Sequence, residues 1–308
     1  MNTKSRRFQV VDILLLAGAI LPLLAVMTLK VLTTPASEGI SITGAMIYFT
    51  IPMPLQDLPI TEAQLNSWAV MLTILFLCLY LTHGLALRPG TKRQLVAEWI
   101  VEKCQNMVNT NMGEYFKSFA PFIAAIMGLS ALSSLSSLLG LFAPTSDINV
   151  VAGWAILVFG LITYYKLKAG PLYYLKGFTE PVPVLLPMNI ISEAATPVSM
   201  SFRHYGNILS GSIISALLAA AFAGLSNLLL GWLPGVLGDF PLLRIGVPAV
   251  LSLYFDIFSS GLQAFIFATL TMMYISGGFH QSEFEERRAR REAKKRAKLE
   301  AKAAKAEQ

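Results

Sequence analysis

Between residues 181 and 282, only Glu193, Arg203, Asp239, Arg244 and Asp256 carry charge. A stretch of that length cannot cover itself with a water-facing surface. Soluble domains hold about 25% charged residues, whereas this chain of 308 residues holds 14%, with 55% hydrophobic residues and a mean hydropathy of +0.59. The composition specifies a polytopic membrane protein of the all-α class, because helices satisfy their own backbone in lipid.

The net charge of +6 and the pI near 9.3 do not indicate nucleic acid. Ten of the 24 Lys and Arg residues lie in the tail from residue 281 onward, and others fall in short loops, as a positive-inside bias requires. Cys78 and Cys104 lack metal-ligand spacing, so neither a zinc site nor a disulfide framework is implied. No G-x-x-x-x-G-K-[ST] loop occurs, so the chain is expected to bind no nucleotide by that route, and no cofactor is expected.

Lys4, Arg6 and Arg7 precede an apolar segment at about 10–32. A signal peptide is the rival reading, but the run is too long for a signal core and TTPASEG is a poor cleavage site. The loop at 33–67 carries Glu38, Asp57 and Glu62 without any Lys or Arg, which places it outside. Its Pro-rich centre predicts irregular chain or a short hairpin. Spans are expected at about 68–87, 119–142 and 151–165. An amphipathic helix at 94–112 should lie along the inner surface after the basic loop RPGTKR. KLKAG reads as an inner loop. Lys30 and Arg244 sit on the wrong side for the charge rule and are expected to snorkel or pair. The tail from 283 should be an exposed helix or disordered.

Two longer apolar segments remain, at about 187–230 and 241–276. The first would be about 65 Å long as one helix, roughly twice the hydrocarbon thickness. It must split or tilt. No polar turn interrupts residues 206–215, and placing the basic tail inside requires an even number of spans. The expectation is about six membrane helices ending in a long, strongly tilted helical hairpin. Three regions follow: 1–66 with an additional helix and outer loop, 67–282 as the membrane domain, and 283–308 as a basic tail.

On the first long helix, Asn189, Glu193, Thr196, Arg203, Asn207 and Ser210 recur at steps of three, four and seven and share a face. Ser252, Asp256, Ser259 or Ser260, and Gln263 repeat the pattern on the second. Arg203 cannot lose its proton, and holding it near mid-bilayer costs about 2.5–3.5 kcal/mol on insertion scales. The bland reading makes these groups helix glue, with Arg203 neutralised by Asp256 or Glu193. That leaves the Asn, Gln and Ser stripe without a purpose, whereas a hydrated ion path uses all of it.

These residues also carry a family resemblance. PVSMSFRHYGNILSG resembles the arginine helix of the a subunit of rotary F-type ATP synthases, P-x-S-x-x-x-R-L-F-G-N-x-x-x-G. GLQAFIFATLTMMYI is similar to that family's last helix, PTSDINV to its P-[ST]-x-D-[LIV]-N-V loop, and ISEAATP to its stretch with Glu four residues before Pro. The four occur in order across about 68–276. The first span and the tail lie beyond the resemblance.

The resemblance implies a stator beside a ring of small hairpin subunits (c subunits), held by peripheral-stalk b subunits and serving an ATP-hydrolysing sector. It places the protein in a bacterial inner membrane, and the positive-inside pattern of the N-terminus and the tail puts both termini on the cytoplasmic side. It maps the essential arginine onto Arg203, with Asn207, Gln263 and Glu193 as further site residues. His204 and Tyr205 replace the usual Leu-Phe. Ser212 stands where some members have Glu, and Asp256 where they have His, so the acid has changed helix. Ser134 and Ser137 stand where others have Asn or Asp. Asp256, Gln263 and Ser212 are expected along an outer half-channel, and Glu193, Asn189 and His204 along an inner one, with protons carried between them by the ring. The tail is expected to touch anionic lipid or the stalk. A self-contained secondary transporter is the alternative, but it should show an internal repeat with paired broken helices, and none is visible. A non-transporting scaffold would have no use for the Arg203, Asp256 and Glu193 set.

Overall fold

Long apolar runs become long helices because lipid leaves the backbone no other donors or acceptors. The computed structural model describes residues 3–34, 44–54, 56–87, 91–180, 182–230, 232, 242–279 and 281–306. Glu38, Arg88 and Asp239 lie outside the described residues, as do the side chains of Lys4, Arg6, Arg7, Arg244 and Ser252. Six helical segments among those described are long and apolar enough to cross a membrane: Phe8–Thr33, Glu62–Thr82, Glu114–Leu139, Ile148–Ala169, Pro183–Leu230 and Asp256–Gly278. The all-α polytopic architecture is therefore as expected.

Helix α1 (Thr3–Thr33) packs along α2 (Glu62–Thr82). The loop between them holds a two-stranded antiparallel hairpin, β1 (Ile47–Ile51) with β2 (Leu58–Thr61). Polar contacts pin α1 at three depths. Asp12 accepts from Arg93 Nη1 at 2.7 Å and lies 3.0 Å from His83 Nδ1. Thr73 donates to the Ala19 carbonyl at 2.9 Å. Near the hairpin, Lys30 pairs with Glu62 at 2.9 Å, which resolves its wrong-side charge.

Helix α2 begins six residues before its expected start at 68. TEAQ is a capping box: Gln64 N donates to Thr61 Oγ1 and Thr61 N to Gln64 Oε1. Its far end closes at Thr82, after which Gly84 turns the chain with φ +77°.

Helix α3 (Lys92–Met112) buries Cys104, Val108 and Met112 and exposes Leu95 and Trp99, so the apolar residues of the expected amphipathic face are split between core and surface. Helix α4 (Ala120–Leu135) tightens into a 3₁₀ turn over Ser136–Leu139 rather than running on to 142. There Ser136 and Ser137 donate to carbonyls three residues back, a local competition with the regular ladder. Helix α5 (Ile148–Ala169) starts at an Asp147 cap and carries KLKA as its last turn, not as a loop. Basic side chains suit a helix C-terminus. The short α6 (Pro171–Gly177) follows.

Helix α7 (Leu186–Leu230) is continuous over 45 residues. At 1.5 Å per residue it is about 68 Å long, so it cannot stand upright in a hydrocarbon core about 30 Å thick. It packs against α8 (Leu242–Gly278), α5 and the segment at 144–146. The core joins α3, α4, α5 and α8 through Val108, Ile123, Val158, Phe267 and Met272. Helix α9 (Gln281–Ala306) is the tail. Its root is docked: Phe284 meets the rings of Tyr115 and Phe279, and Arg287 donates to the Ala169 carbonyl at 2.7 Å, capping α5. The sequence boundary at 283 thus falls inside a packed turn.

Candidate functional site

Two cavities with polar linings lie along α7, one against its first turns and the other against its middle. The one near the hairpin has a volume of about 430 Å³ and is bounded by α4, the segment at 141–146, α7 and α8. Ser134, Ser137, Asn207, Ser212 and Asp256, all singled out in the sequence, line it together. Ser134 Oγ lies 3.0 Å from Thr145 Oγ1, so the PTSDINV loop is tied to α4 at the wall. Asn207 Nδ2 donates to Gln263 Oε1 at 3.4 Å and thereby joins α7 to α8. Gln263 itself is buried behind that contact and does not line the cavity.

The cavity nearer the tail has a volume of about 370 Å³ and is lined by Glu193, Asn189, Thr196, Lys166 and Tyr174, among others. Lys166 Nζ reaches both carboxylate oxygens of Glu193 at 2.7 Å. Tyr174 donates to Glu193 Oε1 at 3.4 Å. Burial, reinforced by the Glu193 carboxylate, raises the Tyr174 phenol above its ordinary range, which keeps it a donor. Asn189 donates to the Phe178 and Glu180 carbonyls, fixing the α6–α7 turn. Pro197 has no N–H, so the Glu193 carbonyl loses its helical donor at the cavity wall.

Arg203 lies on α7 between the two linings. Thr196 of the tail-end cavity is seven residues before it, and Asn207 of the hairpin-end cavity four residues after, about 10 Å and 6 Å along the axis. Its side chain is exposed at the surface of the chain, and among the described residues no hydrogen bond or ion pair engages it. Glu193 is taken by Lys166 instead, contrary to the glue reading. The expectation for His204 needs correcting. It does not line the tail-end cavity but is fully buried, with Nε2 3.4 Å from Ser130 Oγ and its ring edge-on to Trp154 and Phe267. Successive helix residues point about 100° apart, and Met200, Ser201 and His204 form the buried stripe of α7. Arg203 therefore faces out because His204 faces in.

Sequence reasoning missed Tyr174, and it missed Lys166 because KLKAG reads as a loop. It also missed Lys30, held by Glu62, as part of a cavity wall. The wrong-side position of Lys30 was the available signal for that pair.

Comparison with known proteins decides the family. The family model for the ATP synthase A chain matches residues 64–276, from the first turn of α2 to the end of α8. The chain belongs to the ATP synthase subunit a family. It is similar to ATP synthase subunit a of Bacillus pumilus, 35% identical over 218 residues, covering 66% of this chain and 85% of the relative. It is 27% identical over 284 residues to the sodium ion specific subunit a of Propionigenium modestum, covering 82% and 90%. The subunit a of Legionella pneumophila strain Philadelphia 1 is 27% identical over 230 residues, covering 74% and 90%. This subunit a family member is thus a multi-pass membrane protein, a stator subunit of the membrane sector that takes part in ion translocation within the ATP synthase complex. A self-contained transporter is not favoured. Helix α1, the hairpin and α9 lie beyond the matched region.

Proposed function

We propose that the two cavities are the outer and inner half-channels of a proton path completed by a ring of c subunits, each bringing one carboxylate to the level of Arg203. One observation carries this reading: an exposed guanidinium with no partner among the described residues stands between two polar cavities on one helix. Asp256, Asn207 and Ser212 pass protons through the outer cavity, with Ser134 and Ser137 on its wall and Gln263 holding Asn207. Glu193, with Asn189 beside it, serves the inner cavity. Arg203 stabilises the deprotonated ring carboxylate in transit and keeps the two aqueous paths apart. In this reading the chain is the ion-translocating part of the enzyme in a bacterial cytoplasmic membrane, with both termini cytoplasmic. Peripheral-stalk b subunits hold it, and the ATP-hydrolysing sector is coupled to it indirectly. The regions 1–66, 67–282 and 283–308 then correspond to an accessory helix with outer loop, the translocation domain and a tail for lipid or stalk contact.

The test is ion flux and ATP-driven pumping by assembled complexes in vesicles. Arg203→Ala should abolish coupled pumping while the complex still assembles. Arg203→Lys should restore little, because ammonium lacks the planar, multi-donor reach of guanidinium. Robust coupled pumping by the Ala variant would sink the reading.

A further inference from the structure

Lys30 belongs to α1, outside the region that defines the family, yet it lines the hairpin-end cavity together with Asp256. Its partner is Glu62 at 2.9 Å, and the two differ in exposure: the Lys30 side chain is 29% exposed and that of Glu62 4%. The cation therefore stands at the cavity and the carboxylate behind it. Glu62 also accepts from Phe142 N at 3.3 Å, while Asn66 donates to the Phe142 carbonyl at 2.7 Å. Both backbone polar groups of Phe142 are thus held by α2, and Leu141, Phe142 and Ala143 form cavity wall.

A lysine in the last turn of a helix is often explained by the helix dipole. That does not explain a lysine reaching a buried glutamate on another helix, at the end of the span where basic residues are disfavoured. From this geometry we infer that Lys30 is a fixed cation in the outer half-channel that sets how readily the coupling cation is taken up from that side, with Glu62 as its partial counter-charge. The inference rests on reading that cavity as the outer half-channel.

The sign follows from Coulomb's law. A positive charge on the wall lowers cation occupancy, and Glu62 behind it offsets part of the effect. Across a cavity this size, one unit charge changes occupancy by about two- to tenfold at the intermediate dielectric of a wet crevice. Among the described lining residues, Asp256 is the other charged group and acts in the opposite sense.

The experiment uses the assembled complex in vesicles, with ATP synthesis rates measured against outer-side proton concentration at fixed inner pH and membrane potential. A second arm varies outer Na⁺ at fixed pH, and the arm that saturates names the cation. Lys30→Gln should lower the half-saturating concentration about two- to tenfold. Lys30→Glu should lower it further, Lys30→Arg should leave it near wild type, and Glu62→Gln should raise it. A role confined to holding the wall would reduce maximum rates in all variants alike without this charge order, and that result overturns the inference. If Lys30→Glu fails to assemble, the opposed shifts of Lys30→Gln and Glu62→Gln still decide. Asp256→Asn separates the two levels. If it is slow while the Lys30 series shows no shift, only the role of Lys30 falls. If it runs at the wild-type rate, the cavity reading falls and takes this inference with it.

Discussion

At the scale of single residues, the division between exposed and buried on α7 follows from helical geometry. Arg203 and His204 are neighbours in sequence but point to different surroundings, one to the exposed surface of the chain and one into the α4–α5–α8 core. The sequence face through Glu193, Thr196, Arg203 and Asn207 was legible from its spacing. The inward rotation of His204 was not, because a polar ring beside an arginine reads as part of the same site. Lys166 was illegible for another reason. In KLKAG its charge marks a loop, and only the close approach of α5 to α7 brings its ammonium to Glu193. The pair is partly exposed, at 23% and 18%, so its worth is modest. Lys166→Met and Glu193→Gln should each slow ATP-driven pumping. The double variant should be less impaired than the product of the singles, with a coupling of about 1 kcal/mol, or roughly fivefold in rate. Strict additivity of the three measured rates would show that the two residues act independently.

At the scale of elements, hydropathy located all six spans among the described residues, and the errors concentrated at ends. Helix ends are governed by capping and by serine side chains, short-range signals that a hydropathy window averages away. The TEAQ box moved the start of α2 outward, and the serine run shortened α4. The docking of α1 on α2 could not be read from composition, because both helices are apolar all round. It depends on close approach: a Cβ placed at Gly18 would lie 2.7 Å from the Phe76 ring. Small residues at helix interfaces permit that proximity. Gly18→Val should force the helices apart at a cost of about 1–3 kcal/mol. The measurable result is a lower unfolding temperature of the detergent-solubilised complex, together with loss of the Lys30 contribution to cation uptake. An unchanged melting profile would show that α1 does not depend on this contact.

At the scale of the whole molecule, α9 is two things in sequence, a docked root and a projecting basic helix. Phe284 and Arg287 close the tail-end face of the core, and Arg287 also caps α5, the helix that supplies Lys166. A truncation that keeps residues up to 288 should leave pumping and assembly intact. A truncation from 283 removes the Phe284 rings and the α5 cap together. It should lower the yield of assembled complex severalfold and slow pumping, as judged by copurification and vesicle assays. Equal behaviour of the two truncations would mean that the root is not structural.

The exposed Arg203 also bears on how such a subunit is made. On the proposed reading its guanidinium faces acyl chains until a neighbour brings a carboxylate, at about 2.5–3.5 kcal/mol on insertion scales, and nothing among its own described residues relieves it. Copies made in excess of that neighbour should then be the less stable ones in the bilayer. On the proposed reading, the charge that divides the path in the finished complex would also match the standing stock of stators to the number of rotors available to receive them.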